Sequence, residues 1–151
     1  MEPSPILDAI RVGFAGLAVS PAIQERALCN LEVWLTEPRF IVYRAQIVSM
    51  IERCLWAELL DGFYQTLPFG TGGRRGRVRI GPNGFNPWTL ATSIQGHAEW
   101  MKHTRGKNRL SVVIGYDVRC FADTNGTLDT NIPTPINGIT SRNFAELSAE
   151  I

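Results

Sequence analysis

Between Ala45 and Leu60 the apolar positions Ile47, Ile51, Cys54, Leu55 and Leu59 recur at spacings of three and four. This pattern predicts one amphipathic helix packed by its stripe against the body of a domain. Upstream, Ile23 to Leu35 has a weaker helical pattern, which Glu37-Pro38 ends because the residue before a proline is steered out of helical geometry. Downstream the period changes. Phe69 to Gly81 is dense in glycine and closes on the alternation Arg77, Val78, Arg79, Ile80, the pattern of a turn feeding a short strand with one polar face.

Asn86-Pro87 supplies an N-cap and a proline at the first helical position, and Leu90, Ile94, Ala98 and Met101 carry the stripe onward. Lys102, His103, Arg105 and Gly106 close that helix with basic charge against its dipole and a stop residue. Leu110 to Ile114 predicts a buried strand, followed by a functional loop at Gly115-Tyr116-Asp117. Cys120 to Ile139, with Asn125-Gly126, Pro133, Pro135 and Asn137-Gly138, predicts a long irregular connection of several turns. At the end, Asn143 and Glu146 suit a capping box, and Phe144, Leu147 and Ile151 form an apolar face that stops with the chain. The expectation is a natural chain that continues beyond Ile151, or a partner on that face.

The 151 residues are enough for one domain with a real core, and 44% hydrophobic with 19% charged residues is a globular composition. A net charge of +1 gives the whole chain no pull toward nucleic acid or anionic membrane. The mildly apolar stretch Val12 to Ile23 contains Pro21, follows the acidic Glu2 and Asp8, and is too short to span a bilayer, so a cytoplasmic protein is expected. Cys29, Cys54 and Cys120 have no metal-binding spacing and are expected to be buried, reduced thiols. His97 and His103 likewise lack ligand spacing. Trp34, Trp56, Trp88 and Trp100 are expected in the core or at interfaces.

The candidate chemistry lies in the run FGTGGRRG, Phe69 to Gly76. Gly70, Gly72, Gly73 and Gly76 let the backbone turn its N–H groups inward, Thr71 adds a hydroxyl, and Arg74 and Arg75 add guanidinium forks. An arginine can hold two oxygens of a phosphate at once, so the run suits a phosphate dianion. It is neither a Walker A loop nor a dinucleotide fingerprint. The alternative of a tight turn with solvated arginines stands beside this reading, as does a nucleic-acid module using Arg74, Arg75, Arg77 and Arg79 as a basic stripe.

The order FGTGGRRG, then Gly81-Pro82-Asn83, then a helix, then VVIGYDVR from Val112 to Arg119 resembles the N-terminal domain of the α-D-phosphohexomutases, the phosphoglucomutases and phosphomannomutases. That family has a Phe-Gly-Thr-x-Gly-Leu-Arg-Gly segment and later a Gly-Tyr-Asp-x-Arg strand end. The resemblance runs from about Phe63 to Ile151, including IPTPINGITSRNFAEL, and matches the first sixty residues only loosely. It implies a three-layer α/β/α sandwich with a mixed sheet over residues 63–151, truncated at its last helix, and a helical N-terminal extension over 1–62.

By the resemblance, Arg75 stands for the arginine that approaches the phosphorylated catalytic serine. Tyr116, Asp117 and Arg119 form the second motif beside it, with Arg119, like Arg75, in a supporting catalytic role, while Gly70, Thr71, Gly72 and Gly73 shape the turn. Arg74 departs from the pattern, which has an apolar residue there. The family's Thr-Ala-Ser-His-Asn-Pro nucleophile loop and its Asp-x-Asp-x-Asp metal loop are absent from these residues. The resemblance therefore implies an isomerase of carbohydrate metabolism that in its full form uses Mg2+ and a bisphosphorylated sugar, with this chain alone inactive. Its partners would be a phosphosugar and the remaining mutase domains, with no nucleic acid and no membrane. A non-catalytic interaction domain derived from a mutase, using the helix Phe144 to Ile151, is the alternative.

Overall fold

The computed structural model describes residues 5–71, 73–105 and 110–151, so Gly72 and Gly106 lie outside the described residues. Four helices come first: α1 (Pro5–Ala15), α2 (Pro21–Thr36), α3 (Ile41–Glu52) and α4 (Trp56–Phe63), with a 3-10 turn at Pro38–Phe40. Glu37 leaves helical geometry ahead of Pro38, as expected, while α2 begins two residues before the expected Ile23, with Pro21 in its first turn. The hairpin strands β1 (Phe69–Gly70) and β2 (Gly73–Arg74), then α5 (Pro87–Arg105) and α6 (Ser141–Glu150), complete the order.

The single helix expected over Ala45 to Leu60 is two. Leu55 donates its N–H to Met50 O and Cys54 donates to Ile51 O, both at 2.9 Å, while Cys54 adopts a φ of 56°. This is a Schellman stop with cysteine at the left-handed position that glycine usually takes. The turn lets Ile51 and Leu59 both reach the core. It also leaves Cys54 exposed, and Cys29 and Cys120 are exposed too, contrary to the buried thiols expected.

The core joins Ile10 and Phe14 of α1, Leu28, Leu31 and Trp34 of α2, Tyr43, Ile47 and Ile51 of α3, and Leu59 and Phe63 of α4. Ile80 and Ile136, far apart in sequence, enter the same cluster. At its centre the Trp34 ring stacks on Phe40 at 4.3 Å and meets Phe63 edge-on at 5.5 Å, while Phe40 meets Trp88 at 4.8 Å. Each such pair contributes about 0.5–1.5 kcal/mol beyond area burial. Trp100, by contrast, is exposed.

Burial pushes the Tyr43 phenol up to about 12, against a smaller opposing pull from the Trp88 backbone. The folded state thus holds this proton more tightly than the unfolded chain, whose value is 10.0. The resulting stability is complete below pH 10 and lost as pH climbs toward 12, an alkaline loss of about 2–3 kcal/mol. Tyr43→Phe is expected to flatten that limb, which urea melts at pH 9 and pH 11.5 check directly.

A three-layer sandwich is not seen. Among the described residues the sheet consists of β1 and β2 alone, antiparallel, with Phe69 opposite Arg74 and Gly70 opposite Gly73. The strand expected over Arg77–Ile80 makes one bridge, Val78 to Phe85, and a second isolated bridge joins Cys120 to Thr140. Leu110 to Ile114 is not assigned as a strand and is not buried: Val113 is 97% exposed, and beyond it Val118 is 101% exposed. Its alternate side chains find no adjoining strand among the described residues, and a strand is buried only by its neighbours.

The connection from Cys120 to Ile139 is irregular, as expected, and α3 holds it down. Gln46, fully buried, donates to Asp129 O and Ile132 O at 2.7 Å and accepts from Asp129 N at 3.0 Å. The capping box of α6 sits three residues earlier than expected, between Thr140 and Asn143, and Glu146 instead pairs with Arg142 at 2.8 Å. Phe144 is not left bare: it is buried, against Phe85 at 4.9 Å and Phe121 at 5.9 Å, while Ile151 stays exposed. No helix among the described residues is long and apolar enough to cross a membrane.

Candidate functional site

The glycine-arginine run folds as the expected turn, with Gly70 and Thr71 exposed at its tip. The two arginines then part. Arg74 is half-buried, with its Nε enclosed and without a hydrogen-bond partner. Arg75 is exposed and lines a groove of about 260 Å³ with Gln65, Arg77, Arg79 and Asn83. Arg79 is the fixed member of this group, its side chain 11% exposed and its guanidinium paired with both Glu58 and Asp61 of α4. Arg77 reaches Glu58 at 3.6 Å.

What anchors this segment is the loop from Gly81 to Asn86. The Asn86 side chain, fully buried, donates to Arg79 O and Gly81 O at 2.9 Å and accepts from Thr89 N at 3.1 Å. Thr89 returns the favour by accepting from Asn86 N at 3.0 Å. One residue thus caps α5 and ties down the chain that carries the arginines, so the N-cap read from sequence has a second role. Asn83 extends the anchor to α4 by donating its N–H to Gly62 O at 3.0 Å and its amide to Asp61 O at 2.8 Å.

The second motif forms a separate corner. Asp117 accepts from the Arg119 backbone N–H at 3.0 Å and pairs with its side chain at 2.6 Å, and Ser141 at the start of α6 donates its hydroxyl to the same carboxylate. The Ser141 hydrogen bond, then that from the Arg119 backbone, hold the Asp117 carboxyl below its ordinary value of 3.8. The stabilisation from this clamp is therefore present above that value and lost as pH falls through the lowered one. Tyr116, Asp117 and Arg119 rim a groove of about 490 Å³ whose floor includes Phe85, Phe121 and Phe144.

Among the described residues, no hydrogen bond or ion pair joins the turn at 70–75 directly to the corner at 116–119. Phe85 links them indirectly, donating its N–H to Arg77 O at 2.8 Å while its ring lies in the corner's groove. Gly72 lies outside the described residues. His97 and His103 are exposed, and among the described residues no group of three His, Cys, Asp or Glu could hold a metal ion.

Sequence reasoning missed Ser141, and it passed over Gln65 and Asn83 as site residues. Only contacts that span the chain reveal them. The alternation of Arg75, Arg77 and Arg79 was the one available signal for the groove.

Residues 66–128 match the family described as phosphoglucomutase/phosphomannomutase, alpha/beta/alpha domain I. A phosphoglucomutase of Staphylococcus haemolyticus (strain JCSC1435) is 34% identical over 74 residues, 49% of this chain. That stretch spans 13% of the relative's own length. No solved structure is significantly similar.

Proposed function

We propose that the chain acts as the first domain of a phosphosugar mutase, a reading supported by the match of residues 66–128 to domain I of the phosphoglucomutase/phosphomannomutase family. Such an enzyme is an isomerase that moves a phosphate between two hydroxyls of one sugar. The observation that carries the reading is Arg75: by the resemblance of FGTGGRRG it stands for the family arginine, it is exposed, and among the described residues no carboxylate claims it.

Phosphoryl transfer asks a protein mainly for positioning and for charge placed where the transferring group carries it. Arg75 contributes that charge, with Thr71 and the Gly70 and Gly73 backbone beside it. Asp117 and Arg119 satisfy one another and fix the start of α6, a positioning role. Among the described residues no carboxylate cluster fits a magnesium ion, and no Thr-Ala-Ser-His-Asn-Pro stretch supplies a nucleophile. In this reading both come from further mutase domains. Residues 111–118 then become a strand of the mixed sheet in the three-layer sandwich, which accounts for their valines standing exposed.

The pure chain, given glucose 1-phosphate, Mg2+ and glucose 1,6-bisphosphate, is expected to form no glucose 6-phosphate in a 31P NMR time course. Sustained conversion by the chain alone would overturn its assignment as one wall of a larger site.

A further inference from the structure

Extended backbone turns every second side chain to one face. Arg75, Arg77 and Arg79 occupy alternate positions, and all three line the groove beside α4. The carboxylates paired here are Glu58 and, lining the groove itself, Asp61, and the pairing is uneven. Arg79 engages both carboxylates, Arg77 stands 3.6 Å from Glu58, and Arg75 has no partner among the described residues. One positive charge remains in excess.

The groove's amides are fixed as well. Gln65 donates from Nε2 to Asn83 Oδ1 at 3.0 Å, and Asn83 donates from Nδ2 to Asp61 O at 2.8 Å. An amide nitrogen carries two hydrogens, so the Gln65 side chain keeps one N–H for a ligand. The groove thus gathers two arginines not fully neutralised and one amide donor beside Arg79, whose side chain α4 holds by two ion pairs.

We propose that the groove between α4 and residues 75–79 is a binding site for the phosphate dianion of a phosphate monoester, with Arg75, Arg77 and Gln65 as its donors. Arg79 is a positioning residue, held by Glu58 and Asp61. The proposal rests on the phosphate-facing reading of the turn and extends it to Gln65, Arg77 and Asn83, which lie outside that turn.

The test is a titration of the whole chain with inorganic phosphate, followed by 1H–15N NMR at constant ionic strength. At pH 7.5 the side-chain amides of Gln65 and Asn83 and the Nε–H groups of Arg75 and Arg77 are expected to shift saturably. The response should weaken as pH falls from about 7.5 to about 6, the range over which the inorganic phosphate dianion takes up a proton. Gln65→Glu, which adds a third carboxylate, and Arg77→Ala, at a side chain 53% exposed, should each weaken binding about tenfold. Saturable shifts confined to residues 70–75, with both variants binding as the wild type does, would overturn the groove and leave the turn reading standing. No saturable shift anywhere would overturn both.

Discussion

Gly81→Ala is expected to lower the unfolding free energy by about 4 kcal/mol, the sum of two costs of about 1–3 kcal/mol each. The first is conformational: Gly81 has a φ of +105°, where a side chain is strained whatever room surrounds it. The second is steric. A Cβ at this position would lie 2.3 Å from Gly62 O and 2.8 Å from Gly62 C, backbone atoms of α4 that cannot swing aside. The approach is this close because Asn83 N bonds Gly62 O and Leu67 N bonds Pro82 O at 2.8 Å, drawing the loop onto the helix. Gly73→Ala is the control, with a φ of +134° but nothing within 4 Å of the added carbon. Urea unfolding of the two variants separates strain from crowding, and equal midpoints would contradict the account. Since a small domain has about 5–15 kcal/mol in total, the loss at Gly81 is a large fraction of it.

The contrast between these glycines bears on what a sequence can tell. The end of α2 and the start of α5 were legible because they depend on local chemistry: a proline after Glu37 and, for α5, an asparagine cap with proline behind it. The break between α3 and α4 was not, since its left-handed residue is Cys54, where a glycine would have announced it. Valine-rich residues 110–118 have the composition of a buried strand, yet burial depends on neighbours, and composition is silent about whether those are present.

At the candidate site, the turn and its exposed arginine were legible from glycine spacing and charge. What could not be read was the division of labour among Arg74, Arg75, Arg77 and Arg79. It depends on Glu58 and Asp61, some twenty residues away on α4, which claim Arg79 and leave Arg75 unclaimed. The two family motifs lie in separate corners for a similar reason: Ser141, not the turn, is the partner Asp117 finds.

The central claim is that Arg75 faces phosphate while Arg119 serves the fold. An exposed arginine that binds two phosphate oxygens makes charge-assisted bonds of about 1.5–3 kcal/mol, and removing it should weaken binding by tenfold or more. Arg119 is already paired with Asp117 at 2.6 Å and lies over the Phe121 ring at 5.8 Å, so a ligand gains little from it. Calorimetric titration of glucose 1-phosphate into the wild-type chain, Arg75→Ala and Arg119→Ala, with thermal melts to verify that each is folded, sets the two against each other. The account predicts a loss of at least about tenfold for Arg75→Ala and a change within about twofold for Arg119→Ala; the reverse order, or undiminished binding by Arg75→Ala, would contradict it.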